Sequence, residues 1–177
     1  MELIEVIDTA VKVGLGALIS GITTYTVTKL NHQSDKEKEF LKAKIEMISF
    51  AMEKLEIYFN AFDKCCSRLG GMRQTGVPPG RIPDAMFIGY REIDNLLVMS
   101  RTDREIANSR LQLIALTEIG ETIVEIAKIE NKFREQVIFA QQLPTEDQLK
   151  SYKTEMSTLK KKVHLILSSV FERSYGK

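Results

Sequence analysis

Three glutamates, Glu118, Glu121 and Glu125, fall within two turns of one helical stretch, a spacing at which carboxylates can share a metal ion. Helical di-metal sites pair such glutamates with a histidine three residues on. This chain has only 2 His, His32 and His164, neither of them near. The three carboxylates are therefore expected on a solvated face that Lys128 and Lys132 continue. His164 sits beside Val163, after Lys160-Lys161-Lys162, with no serine or cysteine nucleophile in readable relation to it. It reads as a helix-surface histidine, and His32 as part of a linker. Neither has an arginine four to six residues before it, the spacing that one kind of helical nuclease would need. Of the adjacent Cys65 and Cys66, the second is expected to pack as a small apolar side chain and the first to be more exposed, with no base beside it. Gly70, Gly71 and Gly76 lack the Gly-x-x-x-x-Gly-Lys-Ser/Thr pattern and a preceding strand, so no phosphate cradle is read there. No catalytic set assembles, and the expectation is a non-enzymatic protein without metal or cofactor.

Cationic residues form two groups, Arg68, Arg73 and Arg81 near a loop, and Lys160, Lys161 and Lys162 on the last helix. They read first as ordinary surface charge and next as a candidate surface for an acidic protein partner. Nucleic acid is not expected, because the net charge is only +1 and no stacking aromatics interleave with these charges. Two adjacent cysteines make no disulfide framework and point to a reducing compartment.

The elements that must carry these residues read as helices throughout; alternating strand patterns are absent. The chain of 177 residues is 44% hydrophobic, long enough for one real core. Three of its four prolines and four of its ten glycines fall in residues 70–83, the one long loop. Before the loop, Leu41, Ile45, Ile48, Met52, Leu55, Phe59, Phe62, Cys66 and Leu69 alternate in steps of four and three, a seam held for four heptads. Gly70-Gly71 is expected to end that helix. After Pro83 a short helix runs to about residue 100. Thr102 and Glu105 then have capping-box spacing for a new helix reaching Leu143. Pro144 stops it, and Thr145 with Gln148 opens the last helix, whose seam is Leu149, Tyr152, Met156, Leu159, Val163, Ile166 and Val170. Short connections force antiparallel neighbours, giving an all-α bundle over residues 31–177 with one short and three long members. An intermolecular coiled coil of residues 41–69 is the competing arrangement. Lys160, off the seam, is expected to be replaceable at little cost.

Residues 1–30 differ in kind. Between Lys12 and Lys29 lie 16 uncharged residues, at the short edge of what spans a bilayer, and Lys12 can snorkel to lengthen the span. A cleaved leader fits poorly, because Glu2, Glu5 and Asp8 stand where basic residues belong. A soluble helix would need burial on every side. A single membrane helix accounts for the all-round apolarity, and Lys29, Lys36, Lys38, Lys42 and Lys44 then place the following domain in the cytoplasm with the N-terminus outside. Gly16, Ala17, Ser20 and Gly21 make small-xxx-small pairs, a face on which two such helices can associate into a homo-oligomer. The sequence thus predicts a membrane-anchored interaction protein or scaffold, its protein partner unnamed by the residues. A small oligomeric membrane-perturbing protein, of the kind known by analogy from phage lysis and defence, and a fully soluble helical adaptor are the alternatives.

Overall fold

In the computed structural model, residues 35–175 are described, positions 79 and 115 excepted, with side chains from 36 to 170. Residues 8–29 and the association face at Gly16, Ala17, Ser20 and Gly21 lie outside the described residues. Four helices account for nearly all of the rest: α1 Asp35–Gln74, α2 Asp84–Leu113, α3 Thr117–Arg134 and α4 Glu146–Tyr175. Among the described residues, no helix is long and apolar enough to cross a membrane.

Cross-helix contacts fix the topology. Going up α1, Lys54 meets Asp103 and Cys65 meets the Ile93 carbonyl, so α2 descends. Arg104 meets Glu130 and Asp94 meets Arg134, so α3 rises again. Glu125 pairs with Lys162 and Glu56 with Lys160, so α4 descends beside both α3 and α1. The result is an up-down-up-down bundle, and the seam of residues 41–69 packs within one chain. Met52, Leu55, Phe59, Phe62, Cys66 and Leu69 are all buried along it. Tyr58, Cys65 and Met72 are buried too, which widens the seam into a stripe facing more than one neighbour.

Three boundaries differ from the sequence expectation; in one, the helix expected to reach Leu143 ends at Phe139, and Leu143 lies in a short strand. The α1 helix runs through Gly70-Gly71, where a Cβ would meet nothing within 4 Å, and stops at Gly76, which takes φ +86°. There the Val77 amide donates to the Met72 carbonyl and the Gly76 amide to that of Arg73, a Schellman cap. The extra turn buries Met72. Glycine does end this helix, six residues later than its first glycine suggested.

Thr102 starts nothing. It is exposed in the middle of a continuous α2, and Glu105 bonds Arg104 instead of capping. The chain reverses at residues 114–116, where the Leu116 amide returns to the Leu111 carbonyl without glycine or proline. Tertiary packing decides this turn: a straight helix from 102 to 143 would run about 60 Å and carry Arg101 and Arg104 away from Glu130. The short member is therefore α3, not the segment before it.

The box at Thr145 does form, with the Thr145 amide donating to Gln148 Oε1 at 2.9 Å and the Gln148 amide to the Thr145 hydroxyl at 3.2 Å. Between α3 and α4 the helix widens into a π-turn, Glu135–Phe139, and Gln141 takes φ 51°. Two-residue strands, β1 Gly80–Arg81 and β2 Gln142–Leu143, pair antiparallel and pin the 75–83 loop to this connection. At the opposite end, α2 stops at Leu113, about level with residue 46 of α1. Residues 35–45 of α1 thus project about 15 Å past the α2–α3 turn.

The two glycine sites give opposed expectations. Gly71→Ala, in helical geometry and open space, should raise stability by about 0.5–1 kcal/mol. Gly76→Ala, forced into a left-handed conformation, should lower it by about 1 kcal/mol or more. Urea unfolding of both variants checks the assigned helix end.

Candidate functional site

The bundle carries a group of charged and polar side chains in its interior. Glu130 continues the apolar face of α3, in step with Ile123, Ile126 and Phe133, and is itself fully buried. Its Oε1 accepts from Nε of Arg101 at 2.7 Å; its Oε2 accepts from Nη1 of Arg104 and from the Tyr58 hydroxyl, both at 2.9 Å. Three helices thus converge on one carboxylate. The Arg104 guanidinium also stands over the Tyr58 ring, 5.1 Å from its centroid, and bonds Glu105. Burial and the neighbouring Glu130 charge push the Tyr58 hydroxyl well above the usual phenol range. For Arg104, burial opposes the charge, but Glu105, Tyr58 and Glu130 together outweigh it and raise its pKa. One turn higher, Arg134 holds Asp94 bidentately, with both N···O distances 2.9 Å, and that bond raises the arginine's pKa.

A second polar group joins α1 to α4. Lys160 Nζ lies 2.7 Å from Glu56 Oε2 and 5.5 Å from the Phe59 ring centroid, while His164 Nε2 lies 3.4 Å from Glu56 Oε1. Burial pushes the Glu56 carboxyl up, but bonds and charges from His164 and Lys160 overcome it and hold the group below its ordinary value of 4.5. Lys160 is thus no free lysine, and His164 is not a plain surface residue. Both face inward because α4 presents positions 160 and 164, one turn apart, to the same point on α1.

The other groups singled out in the sequence divide. Glu118, Glu121 and Glu125 are exposed, and Glu125 faces Lys162 at 3.4 Å. Cys65, expected to be the more exposed thiol, is as fully buried as Cys66, because the seam is wider than one stripe. Burial pushes both thiols up to about 12, far from a reactive thiolate. Arg73 donates to the Pro144 carbonyl at 3.2 Å, Arg81 pairs with Asp84 at 3.2 Å on the surface, and Arg68 is exposed. These three lie toward the loop end. Lys160 stands level with Glu56, about 18 Å down the bundle from Arg68, so the structure does not merge the two cationic groups into one patch. Lys161 and Lys162 remain exposed.

The sequence reading missed Glu130, Arg104 and Tyr58. Their signal was present as a charge in helical step with buried apolar residues, which a seam tolerates only when a partner meets it. No family model, no curated protein and no solved structure matches the chain.

The Glu56 group predicts an acid response with a definite sign. A carboxyl held below 4.5 contributes stability that is complete above that pH and is lost as pH falls through its folded value. Lys160→Met should move the acid-unfolding midpoint to higher pH. Lys160→Asp should cost about 2 kcal/mol at neutral pH by setting two half-buried carboxylates together, whereas Lys161→Asp should stay within about 0.5 kcal/mol. Thermal and acid melts followed by circular dichroism compare the three.

Proposed function

We propose that the protein is a non-enzymatic, membrane-anchored helical bundle that presents its folded domain to partner proteins on the cytoplasmic side. The observation that carries this reading is the division of labour between interior and ends. The buried ionic groups are consumed by one another: Glu130, with no exposed surface, has both oxygens filled by Arg101, Arg104 and Tyr58. Such a group fixes helices and lies out of a substrate's reach.

The projecting start of α1 supports the anchor. It carries Lys36, Lys38, Lys42 and Lys44 and extends the bundle on the side from which residues 13–28 enter the chain. A basic flank beside an uncharged run of 16 residues suits the cytoplasmic edge of a bilayer. At the far end, the loop pinned by β1 and β2 leaves Arg81 exposed, well placed to meet an acidic partner away from the membrane. Self-association through Gly16, Ala17, Ser20 and Gly21 belongs to the same reading.

Cell fractionation tests the anchor. The full chain should sediment with membranes through high-salt and carbonate washes and be released by detergent, and a chain starting at residue 31 should stay in the supernatant as a folded helical domain. Full-length protein soluble without detergent would overturn the anchor.

A further inference from the structure

Eleven large hydrophobic side chains stay exposed among the described residues, and seven of them share one side of the bundle. Helical periodicity places Ile88, Leu96, Met99, Ile106 and Leu113 on the outer face of α2, and Phe50 and Ile57 beside them on α1. Met99 is 71% exposed and Leu113 73%, values that a monomeric surface seldom concentrates along one stripe.

The cross-helix contacts fix the heights on this face. Arg110 stands over Phe50, Lys54 meets Asp103, and Cys65 meets Ile93. On that scale Ile106 is level with the gap between Phe50 and Ile57, and Met99 with the gap between Ile57 and Lys64. Arg110 is level with the gap between Glu46 and Glu53, and Glu92 with the gap between Lys64 and Arg68. The α1 edge is therefore acidic toward its start and basic toward its end, while the α2 edge at the same heights is basic and then acidic. All six of these charged residues are exposed.

We propose that this α1/α2 face is the dimer interface of the protein and that its occupant is a second copy of the same chain. The two copies are related by a two-fold axis running along the bundle. That rotation sets α1 of one protomer against α2 of the other at unchanged height. Phe50 and Ile57 then interleave with Ile106 and Met99 across the interface, as seam residues three and four apart do in packed helices. Arg110 meets Glu46 and Glu53 of the other copy, and Glu92 meets Lys64 and Arg68.

A two-fold axis across the bundle would also match charges, but it would point the two α1 starts in opposite directions. The axis along the bundle sends both chains out on the same side, as two copies anchored in one membrane require. The choice of axis therefore rests on the anchored reading above; the existence of the interface does not.

The test uses the full-length chain purified in detergent, with mass measured by light scattering. The native thiols are fully buried and do not interfere with introduced ones. Wild-type protein should be dimeric. Met99→Lys should weaken the dimer at least about tenfold without lowering helicity. Glu92→Lys should weaken it, and Lys64→Glu added to Glu92→Lys should restore it. Mild oxidation of the Ile57→Cys/Met99→Cys variant should give a covalent dimer, and Ile57→Cys alone should not. A monomeric wild type would overturn the proposal. So would a dimer indifferent to Met99→Lys, which would put self-association in the first thirty residues alone. Efficient crosslinking by Ile57→Cys alone would overturn the axis. All these outcomes are read in detergent, so they stand apart from failure of the membrane anchor, which fractionation reports.

Discussion

Glu130 is a charged side chain with no access to water, and its carboxylate is met by groups from two other helices, Tyr58 on α1 and Arg101 and Arg104 on α2. An apolar core of leucine, isoleucine and phenylalanine tolerates sliding, since one methyl-lined hollow resembles the next. A buried carboxylate does not. Shifting α2 or α3 by one turn, about 5.4 Å, would part the carboxylate from both guanidinium groups, and shifting α1 would strand the Tyr58 hydroxyl in the interior. The Asp94–Arg134 pair repeats the constraint between α2 and α3 one turn higher, so that interface is fixed at two heights. Buried ion pairs contribute little net stability compared with good apolar packing, and their stronger effect is on which packing is allowed.

The fourth helix is held differently. Against α1 it has the half-buried Glu56–Lys160 pair with His164 alongside, and higher up the Phe62, Phe133 and Tyr152 rings meet tilted and edge-on across α1, α3 and α4. Ring centroids 5.0 and 5.3 Å apart give this contact a packed aromatic core. Because the α1–α2 register is fixed inside, the outer edges of the same two helices hold fixed heights too. The relation of Glu92 to Lys64 and Arg68 on the surface, and of Arg110 to Glu46 and Glu53, follows from Tyr58 and Arg104 meeting at Glu130 inside.

Much of this architecture could be read from residue order. The seams of α1 and α4, the loop and the Thr145–Gln148 cap depend on local chemistry, and the structure contains each of them. The failures have one physical origin. Thr102 and Glu105 have the spacing of a cap, yet packing carries α2 straight through them. The real turn at 114–116 has no glycine, proline or side-chain cap to announce it. Gly70-Gly71 looked like a stop, but only Gly76 adopts a backbone that needs glycine. The interior network was half visible: Glu130 fell on a seam and should have raised the question of its partner. That the partners would be Arg101, Arg104 and Tyr58 depended on a turn the local sequence does not mark.

The central claim is that Glu130 and Arg104 act as one unit in fixing the bundle. A double-mutant cycle with Arg104→Met and Glu130→Met, measured by urea unfolding, tests it most directly. Each single substitution should cost about 1.5–3 kcal/mol, because it removes a buried charge-assisted hydrogen bond while Arg101 still meets Glu130 and Glu105 still meets Arg104. The double variant should be far more stable than the summed losses imply, since it removes both charges together. Additive losses, or single losses below about 1 kcal/mol, would contradict the account and leave the register to apolar packing alone.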